Sequence, residues 1–244
     1  LAEAGVTAAQ LARIHGPAGL AIAARDTGHA VLLLTPLDGG AQRLFTAAEL
    51  AAIAPAEPEL AQVGALALRG DRAARVMQDG VEALLTPFNP PLRLVVVGAV
   101  HIAEALCRMA VIGGYSVTVV DPRSSFLRPE LFPDVALSAD WPQQAFARIK
   151  ADARTAVVLL SHDPKIDDPA LLAVLAGDAF YVGALGSTRT HAKRLARLAE
   201  AGVTAAQLAR IHGPAGLAIA ARTPAEIAIS ILAQMTQALR AVTP

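Results

Sequence analysis

Three segments of the chain combine glycine with polar or charged residues in ways that can hold a small anionic molecule. The first, Val97-Gly98-Ala99-Val100-His101-Ile102-Ala103, runs from an apolar stretch into a helical pattern and approaches the form G-x-G-x-x-G/A. In that form the glycines make a tight turn and let a pyrophosphate reach the free N–H groups of a helix N-terminus. Gly98 and Ala103 suit the first and third positions, whereas Val100 puts an obstructing side chain at the second. Asp121 stands at roughly the 20-residue spacing of an acid that binds a ribose hydroxyl. Arg123 either answers a phosphate or masks that acid, and His101 opens the helix.

The second segment is Ser161-His162-Asp163-Pro164-Lys165. Consecutive residues cannot aim three side chains into one relay, so a hydrolytic triad is not expected. Ser161, His162 and Asp163 either face a ligand or serve the turn, with Asp163 capping a helix. Lys165, beside Lys150 and Lys193 one of three lysines, is either a ligand cation or a solvated loop charge. The third segment, Gly183-Ala184-Leu185-Gly186-Ser187-Thr188-Arg189-Thr190-His191, offers backbone N–H groups, hydroxyls and a guanidinium to an anion. Its other reading is an ordinary helix start, with Ser187 or Thr188 as cap and Gly186 turning the chain. His212, in His212-Gly213-Pro214-Ala215-Gly216, is a further histidine for the same crevice.

These segments need strands that end where they begin. Leu92–Val97, Tyr115–Val120, Thr155–Leu160 and Ala179–Val182 read as strands, alternating with helices over about residues 101–112, 142–150, 169–175 and 190–201. The alternation predicts an α/β fold with a Rossmann-like parallel sheet and helices on both faces, whose ligands gather outside the carboxyl ends of the strands. Thr223-Pro224-Ala225-Glu226 joins an N-cap, a first-turn proline and a capping-box acid, which predicts a last helix to about Ala241. Residues 26–90 read as a small α/β leader region, with strands at Ala30–Thr35 and Gln42–Phe45 and a capping box at Thr46 and Glu49. Pro55 and Pro58 then break the pattern, and Arg72–Gln78 and Val81–Pro87 form a hairpin about Asp79-Gly80. Phe88-Asn89-Pro90-Pro91 is a stiff linker, leaving residues 91–244 as the Rossmann-like domain.

Composition narrows the classes. Hydrophobic residues are 54% and charged residues 17%, which is against disorder. Lys+Arg and Asp+Glu are 21 each, without the basic excess expected of a nucleic-acid binder. The mean hydropathy of +0.46 is high, yet no stretch free of charge reaches the ~20 residues of a membrane span. Cys107 is the single cysteine, which excludes a disulfide framework and a cysteine-built metal site. Within an apolar helix it reads as core. No secretory signal pattern is present, and the cytoplasm is the expected compartment.

Residues 1–25, LAEAGVTAAQLARIHGPAGLAIAAR, recur without one change at 198–222. Repeats that build solenoids drift, and need about three copies or more. A perfect pair reads instead as a duplicated or artefactual copy, expected to be a helical or loosely docked appendage.

Six separated blocks, FNPPLRLVVVGAVHIAEAL, VTVVDPR, SHDPKIDDPALL, FYVGALGSTRTHAKRL, ARIHGPAGL and TPAEIAISILAQM, together resemble the XdhC/CoxI family of molybdenum-hydroxylase maturation factors, over about residues 88–240. Ser161 stands where that family often has Thr, and the glycine-rich amino-terminal domain of longer members has no counterpart. The resemblance implies a chaperone that transiently binds the pterin-based molybdenum cofactor. It would assist sulfuration through a cysteine desulfurase and deliver the cofactor to xanthine dehydrogenase or a related hydroxylase. A homodimer is also implied. Arg189 or Lys165 would meet the anionic end of the cofactor, and His162, Asp163 and His191 its pterin or metal ligands. Gly98, Ala103 and Asp121 keep an NAD(P)-dependent oxidoreductase as the alternative, against Val100.

Overall fold

A computed structural model describes residues 8–241, so the first seven residues of the duplicated segment lie outside the described part. Contacts divide the chain into two compact units, with the division between Pro90 and Pro91.

The first unit contains α1 (Ala8–Asp26), β1 (Val31–Pro36), β2 (Arg43–Thr46), α2 (Ala47–Ile53), α3 (Pro58–Gly70), β3 (Ala74–Gln78) and β4 (Val81–Phe88). Its strands form an antiparallel sheet in the order β2-β1-β4-β3. Leu32, Leu34, Phe45, Leu50, Leu60 and Leu85 fill its core. Thr46 and Glu49 close the expected capping box at α2. Asp79 and Gly80 both have positive φ, as the type I′ hairpin demands. Pro58, expected to break the chain, instead begins α3, because a proline in the first helical turn gives up an N–H that has no partner there anyway. α1 is bent at Gly16, before Pro17, and buries Ala21 completely.

The second unit runs through β5 (Arg93–Val97), α4 (His101–Ile112), β6 (Ser116–Val120), β7 (Ala136–Ser138), α5 (Pro142–Ile149), β8 (Thr155–Leu159), α6 (Pro164–Leu175), β9 (Tyr181–Ala184), α7 (Thr188–Glu200), α8 (Ala205–Leu208), β10 (Ile211–His212) and α9 (Pro224–Arg240). All six strands are parallel, in the order β10-β9-β8-β5-β6-β7. Strand side chains alternate faces. Leu94 and Val96 pack in one cluster with residues of α4 and α9, while Val95 and Val97 pack in another with residues of α5, α6 and α7. This is the expected Rossmann-like sheet with helices on both faces.

Two local expectations change. α6 starts at Pro164, well before 169, because the Asp163 carboxylate accepts from the Lys165 N–H and caps it, while Pro169 is accommodated inside. The edge strands β7 and β10 are three and two residues long, too short to show an apolar period in the sequence.

Candidate functional site

β5 and β8 are neighbours although β6 and β7 lie between them in sequence. Their carboxyl ends therefore make the switch-point crevice where open α/β sheets bind ligands. Gly98 leaves β5 with φ +107, and a methyl group there would fall 2.8 Å from the Ser161 backbone nitrogen. The two loops thus close on each other, and this glycine serves loop-to-loop contact. Asp121 is wholly buried. Its carboxylate accepts from the Ala99 N–H at 2.8 Å and from the Arg123 backbone and guanidinium at 2.8–3.0 Å. Burial alone would push this carboxyl up; Arg123 and the N–H donors outweigh it and hold it below the ordinary value. Arg123 therefore masks the acid, and itself lies over the Phe126 ring. A ribose hydroxyl would have to displace that pair. His101, at the start of α4, is exposed and contacts Glu104.

One strand further along, a hollow of about 150 Å³ opens between α6 and α7. It is lined by His162, Pro164, Asp167, Arg189, Thr190, Lys193, Arg194 and Arg197, four fixed cations against one carboxylate. His162 is held there with positive φ on the turn before α6. Ser187 caps α7 by accepting from the Thr190 N–H, so Arg189 sits in the first helical turn. Arg189, Lys193 and Arg197 follow at spacings of four along one face of α7, a period written in the sequence but invisible when Arg189 is read alone. Arg197 is clamped to Asp168 at 2.6 and 2.9 Å.

Arg194 and Asp167 are the buried charges beneath this stripe. Arg194, 2% exposed, donates through Nη2 to the Leu185 carbonyl at 2.9 Å and reaches Asp167 only at 3.5 Å. Its Nε and Nη1 are buried without a hydrogen-bond partner among the described residues. Burial raises the Asp167 carboxyl above the ordinary value; the Ser161 hydroxyl, which donates to it, and the Arg194 and His162 charges oppose the rise without cancelling it. Neither residue carries a local sequence signal, since burial of a charge is decided by packing. Lys165 is exposed and is not among the lining residues.

The remaining candidates pack against structural neighbours, although Nδ1 of His191 is buried without a hydrogen-bond partner among the described residues. Gly183 lies under the Tyr181 ring, 2.6 Å from where a methyl group would be. His212, paired in register with Gly183, stacks on Tyr181 at 4.8 Å. His191 lies against Gly213, where an added methyl would collide with its ring. Burial pushes both histidines below their usual value, and Arg194 adds to the effect at His191. Gly186, at φ +136, turns the chain into α7. Cys107 is buried core, its thiol pushed up to about 12 by burial. Among the described residues, no three His, Cys, Asp or Glu side chains gather as a metal site, and no helix is long and apolar enough to cross a membrane.

Residues 94–235 match the family described as the XdhC Rossmann domain. The molybdenum cofactor insertion chaperone PaoD of Escherichia coli (strain K12) is 34% identical over 61% of this chain and 40% of its own length. A probable xanthine dehydrogenase component of Bacillus subtilis (strain 168) is 29% identical over 64% of this chain and 45% of its own. The chain thus spans less than half of either relative. A crystal structure of a xanthine dehydrogenase from Bacillus halodurans shares the fold with a TM-score of 0.66 at 21% identity, covering 92% of this chain and 64% of that one.

Proposed function

The chain belongs to the XdhC Rossmann domain family, and from that premise we propose that residues 91–241 bind the molybdenum cofactor transiently and assist its sulfuration and insertion into xanthine dehydrogenase or a related hydroxylase. The observation that carries the reading is the cationic hollow at the carboxyl end of the sheet, with two buried Arg194 nitrogens lacking acceptors among the described residues. A buried donor without a partner costs about 1–3 kcal/mol, a cost that an anion drawing the Arg194 guanidinium toward it would offset. A volume of about 150 Å³ is below the ~300–1,000 Å³ of clefts that enclose a whole cofactor. The hollow suits one anionic group, with the rest of the molecule outside it. Arg189, Lys193 and Arg194 would hold that end, and His162 would approach the part that follows. When bound, the cofactor supplies the molybdenum and pterin that the client needs; the protein holds and orients it. Shallow, charge-based anchoring suits a carrier that must release its load. A cysteine desulfurase, the hydroxylase client and a second copy of this chain are the partners of this reading, in the cytoplasm.

A nicotinamide dinucleotide finds less support, because Asp121 is spent on Arg123 and Ala99, and Val100 occupies the second glycine position. The decisive experiment is pterin and molybdenum analysis of protein co-expressed with the cofactor pathway, followed by activation of a cofactor-free hydroxylase. Retained cofactor and restored hydroxylase activity are expected. Failure of both sinks the chaperone reading, and saturable NAD(P) binding with turnover would replace it.

A further inference from the structure

The hollow between α6 and α7 holds its own carboxylate beside a buried guanidinium that is only loosely paired. At 3.5 Å the Arg194–Asp167 contact is long for a charge-assisted hydrogen bond, whose N⁺–H···O⁻ distance is about 2.7–2.9 Å. Asp167 is drawn at its other oxygen by the Ser161 hydroxyl, and Arg194 is held by the Leu185 carbonyl. Each partner is anchored elsewhere, and Nε and Nη1 of Arg194 remain without acceptors among the described residues. Above them stand Arg189 and Lys193, both exposed and neither paired with a carboxylate among the described residues, on the first turns of a 13-residue helix capped by Ser187. Arg197 is spent on Asp168, and His162 completes the rim. Counting those groups, the space carries positive charge beyond what Asp167 answers.

We propose that this hollow is a phosphate-monoester subsite in which Asp167 competes with the ligand for Arg194. A dianionic phosphate offers acceptors to the Arg189 guanidinium, the Lys193 ammonium and the rim, while its field draws Arg194 away from Asp167. Asp167 keeps the empty hollow from holding an uncompensated buried cation, and by the same charge it repels the occupant and speeds its departure. The ligand chemistry is shared by two sources, the phosphate of a pterin cofactor and that of a nucleoside monophosphate. The proposal specifies the anionic end invoked in the chaperone reading, but the subsite is tested without it.

The test titrates inorganic phosphate into the full chain at constant ionic strength, following heat and the ³¹P resonance. Saturable binding is expected in the parent protein. Removing both exposed cations, Arg189→Ala with Lys193→Ala, should weaken it about tenfold or more, since each charged hydrogen bond lost counts for roughly a factor of ten. Asp167→Asn should instead tighten binding several-fold, and Arg108→Ala, on α4 at the opposite face of the sheet, should leave it unchanged. Fluorescence of Trp141 checks that each variant is folded. The opposite sign is the discriminating result: an Asp167→Asn variant that is folded and binds phosphate no better, or a double variant that binds it as well, overturns the proposal. Competition with the pterin cofactor and with AMP then identifies the source, and displacement by neither overturns the monoester assignment. Phosphate binding without cofactor retention leaves the subsite standing while the chaperone reading fails. Cofactor retention that is indifferent to these substitutions, with phosphate binding that responds to them, assigns the subsite to the nucleoside monophosphate and places the cofactor elsewhere.

Discussion

Residues 8–25 and 205–222 have identical sequences, and the protein folds them in two ways. In the first unit the segment is the helix α1, bent once at Gly16. In the second it supplies the short helix α8, the edge strand β10 and a glycine-proline loop leading to α9. The glycines show what differs. Gly16 has φ +59 with nothing among the described residues within 4 Å of where a methyl group would stand, so there it is the dihedral angle that calls for glycine. Gly213, its twin, lacks that unusual φ but lies against the His191 ring, so there it is room that calls for glycine. Gly216 needs both, with φ +101 and Ser230 against it, whereas its twin Gly19 sits inside α1. One string of residues thus takes the conformation that its neighbours complete. Ile211 pairs with Val182, His212 stacks on Tyr181, and Gly216 donates its N–H to Gln234; none of these partners belongs to the repeat.

This contrast can be broken by matched substitutions, because Trp141, Tyr115 and Tyr181 all lie in the second unit and intrinsic fluorescence reports that unit alone. Gly216→Ala should have the largest effect, roughly 3 kcal/mol or more off the fluorescence-detected denaturant transition, since it adds backbone strain to overpacking. Gly213→Ala should cost about 1–3 kcal/mol by crowding alone, and a smaller side chain at His191 should recover part of it. Acid should also act on the second copy. His191 and His212 are held below their ordinary value of 6.5, so the stability they contribute is full above it and is lost as pH falls through their folded values. Hydrogen exchange followed in peptides that extend into the unlike flanks should therefore rise around residues 211–217 as the pH is lowered from about 7 to about 5.

The smaller effects fall on the first copy. Gly16→Ala should cost about 1–2 kcal/mol of local backbone strain, visible in helical circular dichroism and silent in fluorescence. Gly19→Ala should stabilise α1 by about 0.5–1 kcal/mol, as expected in a helix interior. If Gly16→Ala and Gly213→Ala shift the same transition equally, the two copies do not differ in the way described.

Much of the architecture is legible in the sequence because its signals are local. The capping boxes at Thr46 and Thr223, the Asp79-Gly80 turn and the alternating apolar runs each act within a few residues, and each appears where expected. α3 escapes such a reading because Pro58 has the same local signature as a breaker and as the first residue of a helix. The site is legible in part. His162 and Arg189 stand out from their loops and do line the hollow, whereas Lys165, which stands out equally, does not. Asp167, Lys193, Arg194 and Arg197 line it without any loop motif to mark them. For Arg194 and Asp167 no nearby residue announces burial; α6 and α7 must first pack on the sheet.

By itself the sequence determined the strand-helix rhythm, the apolar runs that pack the sheet and the six blocks of the family, because periodicity and capping depend on neighbours in the chain. Only the tertiary structure decided that Arg123 would mask Asp121, that the cations of α7 would meet the turn before α6, and that one repeated string would be a helix in one place and largely a strand and loop in another. Those outcomes depend on contacts between residues far apart in the chain, whose energies outweigh local preference.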